Sequence, residues 1–188
     1  MRSICLAVSF LFMSALAMTA QKRIVMESSA DEFVTLWDNT TAKYSNYETK
    51  DEEDKGRKFA NTSSADLYIF KAPKEKATGY GVVILPGGSY RTVGFSTMLA
   101  EWLRDNGVTA AVVKYRLPNY GHSEASFEDG AGAIKYFRDN ADRLNLDRSK
   151  IGICGSSAGG HLAAWVAAAA RGDQRPDFAI LIYGAMIR

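Results

Sequence analysis

The segment Lys150-Ile151-Gly152-Ile153-Cys154-Gly155-Ser156-Ser157-Ala158-Gly159-Gly160-His161-Leu162-Ala163-Ala164 constrains the fold more than any other part of the chain. Ile151 and Ile153, β-branched and apolar, lead into a G-x-S-x-G sequence, and the helix-forming run Leu162-Ala163-Ala164-Trp165-Val166 leaves it. A strand that turns sharply through a serine into a helix is an elbow. It lifts the serine hydroxyl above the C-terminal end of a parallel sheet, where ligands of open α/β folds bind. Ser157 is therefore the candidate nucleophile. Gly155 and Gly159 flank it as turn-forming residues, because a Cβ at either place would collide with strand or helix. The helix starts at Ala158, and its positive end favours the oxyanion that forms when a serine attacks a carbonyl.

A second motif lies upstream. Gly81-Val82-Val83-Ile84-Leu85 reads as a fully buried strand, and it runs into Pro86-Gly87-Gly88-Ser89-Tyr90. Alone, a P-G-G sequence is an ordinary strand-end turn. Ahead of an elbow by one βαβα stretch, it reads as a loop that aims backbone N–H groups into the same cleft, as an oxyanion hole requires. Gly87 forms the turn, and the candidate donors are the amides of Gly88 and Ser89 together with that of Ala158.

The rest of the pattern alternates strand and helix. Leu67 to Phe70 predicts a short strand. Residues 92–106 predict a helix with Met98, Leu99, Trp102 and Leu103 on its apolar face. Val108 to Tyr115 predicts a buried strand. Residues 124–143 predict a helix with Phe127, Ala131, Ile134 and Phe137 at helical spacing. A strand over 151–154, the elbow helix over 158–171 and a uniformly apolar strand over 178–183 follow. Such alternation predicts an α/β fold of three layers, α/β/α, with a mostly parallel sheet, incomplete at the C-terminus. Residues 21–65 are polar and predict an N-terminal extension that leads into the first strands. Within them Asp51-Glu52-Glu53-Asp54-Lys55-Gly56-Arg57-Lys58 mixes both signs and reads as a solvated loop.

Strand, PGGSY, helix, a strand ending Val113-Lys114-Tyr115-Arg116-Leu117, helix, then GSSAGGHLAA resembles the α/β-hydrolase superfamily over about residues 66–188. It most resembles the small secreted bacterial esterases related to acetylxylan esterases and the HGGG-type lipase and esterase group. The family loop reads PGGG or HGGG; here Ser89 takes the last position and still has an amide to donate. The resemblance implies a serine carboxylester hydrolase that removes acetyl or other short acyl groups from a plant polysaccharide through an acyl-enzyme on Ser157, with no cofactor. It also implies a scaffold role for Asp129, paired with Arg116, and a structural position for His161.

A serine nucleophile needs a base, and the base an orienting carboxylate. The sequence has two histidines. His161 lies one helical turn past Ser157, poorly placed to take its proton, and His122 lies in a loop after the strand at 108–115. Asp173 and Asp177 precede the last strand, at the wrong end of the sheet. In the resembling family the acid and base come later in the chain. The expectation is that these residues are the N-terminal part of a longer esterase, the last strand being left as an apolar sheet edge. Two other readings stay open: a non-catalytic fragment without acid and base, and a related hydrolase acting on a formyl amide or a peptide.

Residues 1–20 read as a signal peptide. Arg2 gives a positive start, Ile4 to Ala17 an apolar stretch too short to span a bilayer comfortably, and Ala15-Leu16-Ala17 a small-x-small cleavage site, with a cut after Ala20 as the alternative. The expected location is secreted or periplasmic, with no stable membrane insertion after cleavage; the alternative reading of the same segment is an N-terminal membrane anchor. Of two cysteines, Cys5 falls in this leader, leaving Cys154 as a packed thiol on the strand before the elbow. A net charge of +2 with scattered Lys and Arg gives no nucleic-acid footprint, and no spacing suggests metal ligands. The expected partner is an acyl ester, small or polysaccharide.

Overall fold

The structure is a computed structural model that describes residues 21–38, 42–44 and 47–184; the candidate leader, residues 1–20, lies outside them. Strands β1 (Glu32–Thr35), β2 (Glu53–Asp54), β3 (Lys58–Ala60), β4 (Asp66–Phe70), β5 (Gly79–Leu85) and β6 (Val93–Gly94) precede helix α1 (Met98–Asp105). Then come β7 (Thr109–Lys114), α2 (Ser123–Asp139), β8 (Leu146–Ser156), α3 (Ala158–Ala169) and β9 (Phe178–Ile182).

Six strands form one sheet in the order β1-β4-β7-β5-β8-β9. The β1–β4 and β4–β7 pairs are antiparallel, and β7, β5, β8 and β9 run parallel. The strands β4, β5 and β7 alternate between two apolar cores. Leu67, Ile69, Val83, Leu85, Ala111 and Val113 point into a core shared with Ile134 and Phe137 of α2 and Leu162 and Val166 of α3. Tyr68, Phe70, Val82, Ile84, Ala110 and Val112 point to the other face, with Ala100 of α1. A period of two feeding two cores gives the three layers.

The order of connections places the site. From β5 the chain crosses through α1 to β7 on one side; from β8 it crosses through α3 to β9 on the other. With right-handed crossovers, opposite directions put the helices on opposite faces and open a crevice at the C-terminal ends of β5 and β8. The loop at Pro86 and the elbow at Ser157 leave those two strand ends.

Three expectations need correction. The helix expected over 92–106 begins only at Met98. Gly88, Ser89 and Tyr90 all have positive φ, and Val93–Gly94 pairs with β3, so the backbone before Met98 is committed to a turn and a small three-stranded sheet, β2-β3-β6. The apolar face expected of this helix is also largely outside the core. Met98 is 76% and Trp102 61% exposed, while Ala100 is buried and Leu103 packs partly against the α1-side core. Third, the charged stretch 51–58 is not a solvated loop throughout: Glu52 is buried, and its carboxylate meets Lys114 Nζ at 2.7 Å.

Lys114 is the centre of a buried charge cluster. Its ammonium also lies 2.8 Å from Asp66, and all three side chains are fully buried. Glu52 accepts the Ile24 and Ser63 N–H groups at 2.9 and 3.0 Å, and Lys114 donates to the Ile24 carbonyl at 2.8 Å. The N-terminal extension is thus tied to the sheet by ions as well as by the β1–β4 pairing and the packing of Ile24, Met26, Val34, Leu36 and Phe59. A second buried pair, Arg116 with Asp129, stands at 2.6 Å as the family resemblance implies, and Trp37 donates to the same carboxylate at 2.7 Å. Burial pushes the Asp129 carboxyl up, and the guanidinium opposes that.

Removing one member of a buried cluster strands the others without a counter-charge. Lys114→Met is expected to lower unfolding stability by about 3–5 kcal/mol, read from urea midpoints at constant m-value. Lys135→Ala, which breaks an exposed i,i+4 pair with Asp139 at 2.6 Å, is expected to cost under about 0.5 kcal/mol in the same assay.

Candidate active site

The elbow is built at the cost of backbone strain. Ser157 has φ 52° and ψ −121°, a conformation that only glycine adopts freely. Neighbouring chain holds it there. The Ser157 N–H donates to the Ile182 carbonyl of β9 at 3.1 Å, and the Ser157 carbonyl accepts the His161 N–H at 3.0 Å in the first turn of α3.

Glycine is required around it by close approach. A Cβ on Gly159 would lie 2.0 Å from the Leu85 carbonyl oxygen, and one on Gly155 would lie 2.1 Å from the Gly159 carbonyl oxygen. The end of β5, the end of β8 and the start of α3 therefore touch backbone to backbone. Gly87 sits in the same contact: its Cβ would stand 2.9 Å from Ser156 O and 3.1 Å from Ser157 Cβ.

The loop then turns back on itself. Gly88, with φ 147°, leaves no room for a side chain against Thr92, and its carbonyl accepts the Arg91 and Thr92 N–H groups, each at 3.1 Å. Ser89 and Tyr90 follow with φ 55° and 56°. Among the described residues the amide hydrogens of Gly88, Ser89 and Ala158 meet no protein acceptor. The loop that carries two of them abuts Ser157 through Gly87, and Ala158 follows Ser157 directly. Backbone donors left unpaired beside a serine can stabilise negative charge that develops on a bound carbonyl oxygen.

Two tyrosines that sequence reasoning did not single out hold this loop. The Tyr115 hydroxyl donates to the Pro86 carbonyl at 2.8 Å, and the Tyr90 hydroxyl is 2.8 Å from His161 Nδ1. Burial pushes the Tyr90 hydroxyl up to about 12, so it keeps its proton at neutral pH. Each tyrosine stood inside a motif already quoted, but neither partner lies at a sequence distance that any local periodicity would mark.

The remaining titratable candidates lie elsewhere. His122 packs against the rings of Tyr44 and Tyr47, with centroids 6.2 and 4.9 Å away. Asp129 is taken up by Arg116. Asp177 accepts the Ile151 N–H at 2.9 Å at the beginning of the β8–β9 pairing, opposite the elbow, and Asp173 lies 3.7 Å from Arg148. Cys154 is buried, and burial pushes its thiol up, as suits a packing residue. Among the described residues no side chain hydrogen-bonds the Ser157 hydroxyl, no group of His, Cys, Asp and Glu could hold a metal ion, and no helix is long and apolar enough to cross a membrane.

The family described as BD-FAE matches residues 66–179, more than half of the chain. The acetylxylan esterase of Xylanibacter ruminicola is 33% identical over 112 residues, which are 58% of this chain and 23% of that protein. Among solved structures, an acetyl ester-xyloside bifunctional hydrolase from Caldicellulosiruptor lactoaceticus superposes with a TM-score of 0.64 at 26% identity, covering 82% of this chain and 57% of the other. Esterase 2 of Thermogutta terrifontis, in a form phosphonylated by cyclosarin, gives 0.56 at 25% identity over 68% of this chain and 53% of the other. The chain thus spans about a quarter of the curated relative and little more than half of the solved hydrolases.

The backbone contact at the elbow makes a direct prediction. Gly159→Ala is expected to destabilise the fold by more than about 3 kcal/mol, because carbonyl groups rather than flexible side chains stand in the way. Gly94→Ala, whose Cβ would meet only the Gly87 carbonyl oxygen, at 3.2 Å, is expected to cost about 1 kcal/mol or less. Thermal denaturation of the two variants beside the parent checks the contrast.

Proposed function

The chain belongs to the BD-FAE family, whose relatives here are α/β-hydrolase esterases, and from that premise we propose that it is the nucleophile-bearing part of a secreted serine carboxylester hydrolase. The observation that carries the reading is the strained Ser157 set directly against a loop whose Gly88 and Ser89 amides, like that of Ala158, are unpaired. In this reading the Ser157 oxygen attacks the ester carbonyl carbon and its proton leaves to a base. The carbonyl oxygen takes the electron pair and is held by the amides of Gly88, Ser89 and Ala158. Collapse expels the alcohol and leaves an acyl-serine, which water cleaves to acid and free enzyme.

The likeness to an acetylxylan esterase and to an acetyl ester-xyloside hydrolase supports acetyl groups on a xylan-type plant polysaccharide as the substrate. Read as a signal peptide, residues 1–20 favour export, with residues 21–65 as an extension and first strands and 66–188 as the N-terminal part of the hydrolase domain. The phosphonylated esterase relative suggests the probe. A fluorophosphonate is expected to label the chain on Ser157, and Ser157→Ala to remove the label entirely, as mass spectrometry of the tryptic peptide will show. A folded full-length form, with acid and base in place, that stays unlabelled refutes the reading.

One observation favours a second reading, that these residues alone do not turn over ester: among the described residues no histidine or carboxylate reaches the Ser157 hydroxyl. Without acid and base, residual catalysis by the amides and binding alone is expected at about 10³–10⁴ over water. Hydrolysis of p-nitrophenyl acetate measured on the parent and on Ser157→Ala separates the two readings. Turnover at full esterase rates discards the second.

A further inference from the structure

The hydrogen bond between Tyr90 and His161 joins the two pieces of chain whose amides the proposed reaction uses, and the chemistry itself uses neither side chain. Tyr90 ends the Pro86–Tyr90 turn with φ 56°, a conformation a tyrosine keeps only where its surroundings compensate. Its ring packs against the core on the α2 and α3 side and stands edge-on to the His161 ring, at 5.9 Å and 90°. Its hydroxyl lies 2.8 Å from Nδ1 of that ring. The His161 backbone is held in the first turn of α3, where its N–H donates to the Ser157 carbonyl at 3.0 Å. A bridge of two side chains therefore spans from the loop that carries the Gly88 and Ser89 amides to the helical turn that carries the Ala158 amide. At the other end of the loop the Tyr115 hydroxyl holds Pro86.

The bridge explains a feature that the elbow motif leaves open. The contact of Gly87 with Ser157 and the Gly94 N–H on the Gly87 carbonyl at 2.8 Å fix the backbone around Gly87; Ser89 and Tyr90 after it lie in a left-handed turn. With the ring proton of His161 on Nε2, Nδ1 accepts from Tyr90, whose hydroxyl remains protonated at neutral pH, and the end of the loop is pinned as well. The same bond commits Nδ1 and turns the ring toward the loop.

We propose that Tyr90 and His161 are a positioning pair, which sets the separation between the loop amides and the Ala158 amide and so shapes the oxyanion site. The proposal rests on the esterase reading above. Oxyanion donors act over a narrow range of distance, so loosening the loop lowers the rate of attack at serine more than it lowers binding.

Two measurements test it on the full chain with Tyr90→Phe, His161→Ala, the double variant and His161→Asn, whose side-chain amide can offer an acceptor near the position of Nδ1. Hydrogen exchange of the Arg91 and Thr92 amides, both bonded to Gly88, reports on the loop without reference to activity. Each single variant is expected to speed that exchange about fivefold, which is the worth of one hydrogen bond, with global unfolding little changed. The rate of fluorophosphonate labelling at Ser157 is expected to fall about tenfold in each single variant, no further in the double, and to recover largely in His161→Asn.

Unchanged exchange in both single variants overturns the proposal. So does faster exchange with labelling untouched, which would leave the pair structural only. Labelling lost in His161→Ala but normal in Tyr90→Phe also overturns it, because His161 would then act without Tyr90. A full-length parent, with acid and base in place, that does not label overturns the esterase reading instead, and exchange still decides whether the bridge holds the loop.

Discussion

The structure around the candidate site depends on one close approach: the first turn of α3 lies against the end of β5 with no side chain between them. Gly159 faces the Leu85 carbonyl, Gly155 faces Gly159, and Gly87 faces Ser156 and Ser157. Backbone contact of this kind cannot be adjusted by a rotamer. It sets the angle at which α3 leaves β8, and with that angle the height of Ser157 above the sheet. It also brings the loop after β5 beside the serine, so that one contact positions both the candidate nucleophile and the amides beside it. The strain at Ser157 is supported on two sides, by the hydrogen bond from its N–H to β9 and by the helix its carbonyl begins.

The two halves of the sheet are secured by different forces. The parallel strands β7 and β5 and the second half of β8 are held between helices by apolar side chains, while β9, packed by α3, leaves Ile180, Leu181 and Ile182 largely exposed. The N-terminal side adds charge to its apolar packing. There Lys114, Glu52 and Asp66 form a buried ionic cluster that ties the extension to β4 and β7, and Arg116 with Asp129 fixes the strand end to α2. Such clusters add little net stability over an apolar core of the same volume, but they tolerate little rearrangement, since each charge depends on all the others.

The elements with a strong local period were legible before the structure. The strands at β4, β5 and β7, the stripe of Ala131, Ile134 and Phe137 on α2 and the elbow stand where the residue pattern puts them, and the Arg116–Asp129 pair where the family resemblance puts it. The failures share one cause. Met98, Leu99, Trp102 and Leu103 do lie along a helix, but periodicity shows which residues share a face, and does not show whether anything covers that face. Glu52 sits in a run of charges that would be solvated in isolation; only the arrival of Lys114 from a strand 62 residues on gives it a reason to be buried. Residues 92–97 look helical until the left-handed turn at Gly88–Tyr90 and the pairing with β3 claim their backbone.

The sequence by itself determined the alternation of strand and helix, the elbow and its serine, and the glycines without which chain segments could not meet, because these follow from short-range sterics and periodicity. Tertiary structure alone decided which side chains guard the site. Tyr90 finds His161 across 71 residues, Tyr115 finds Pro86 across 29, and Lys114 finds Glu52 and Asp66, because hydrogen-bonding and ionic partners are chosen by distance in space. That distance is set only when the sheet order β7-β5-β8 brings separate strand ends together.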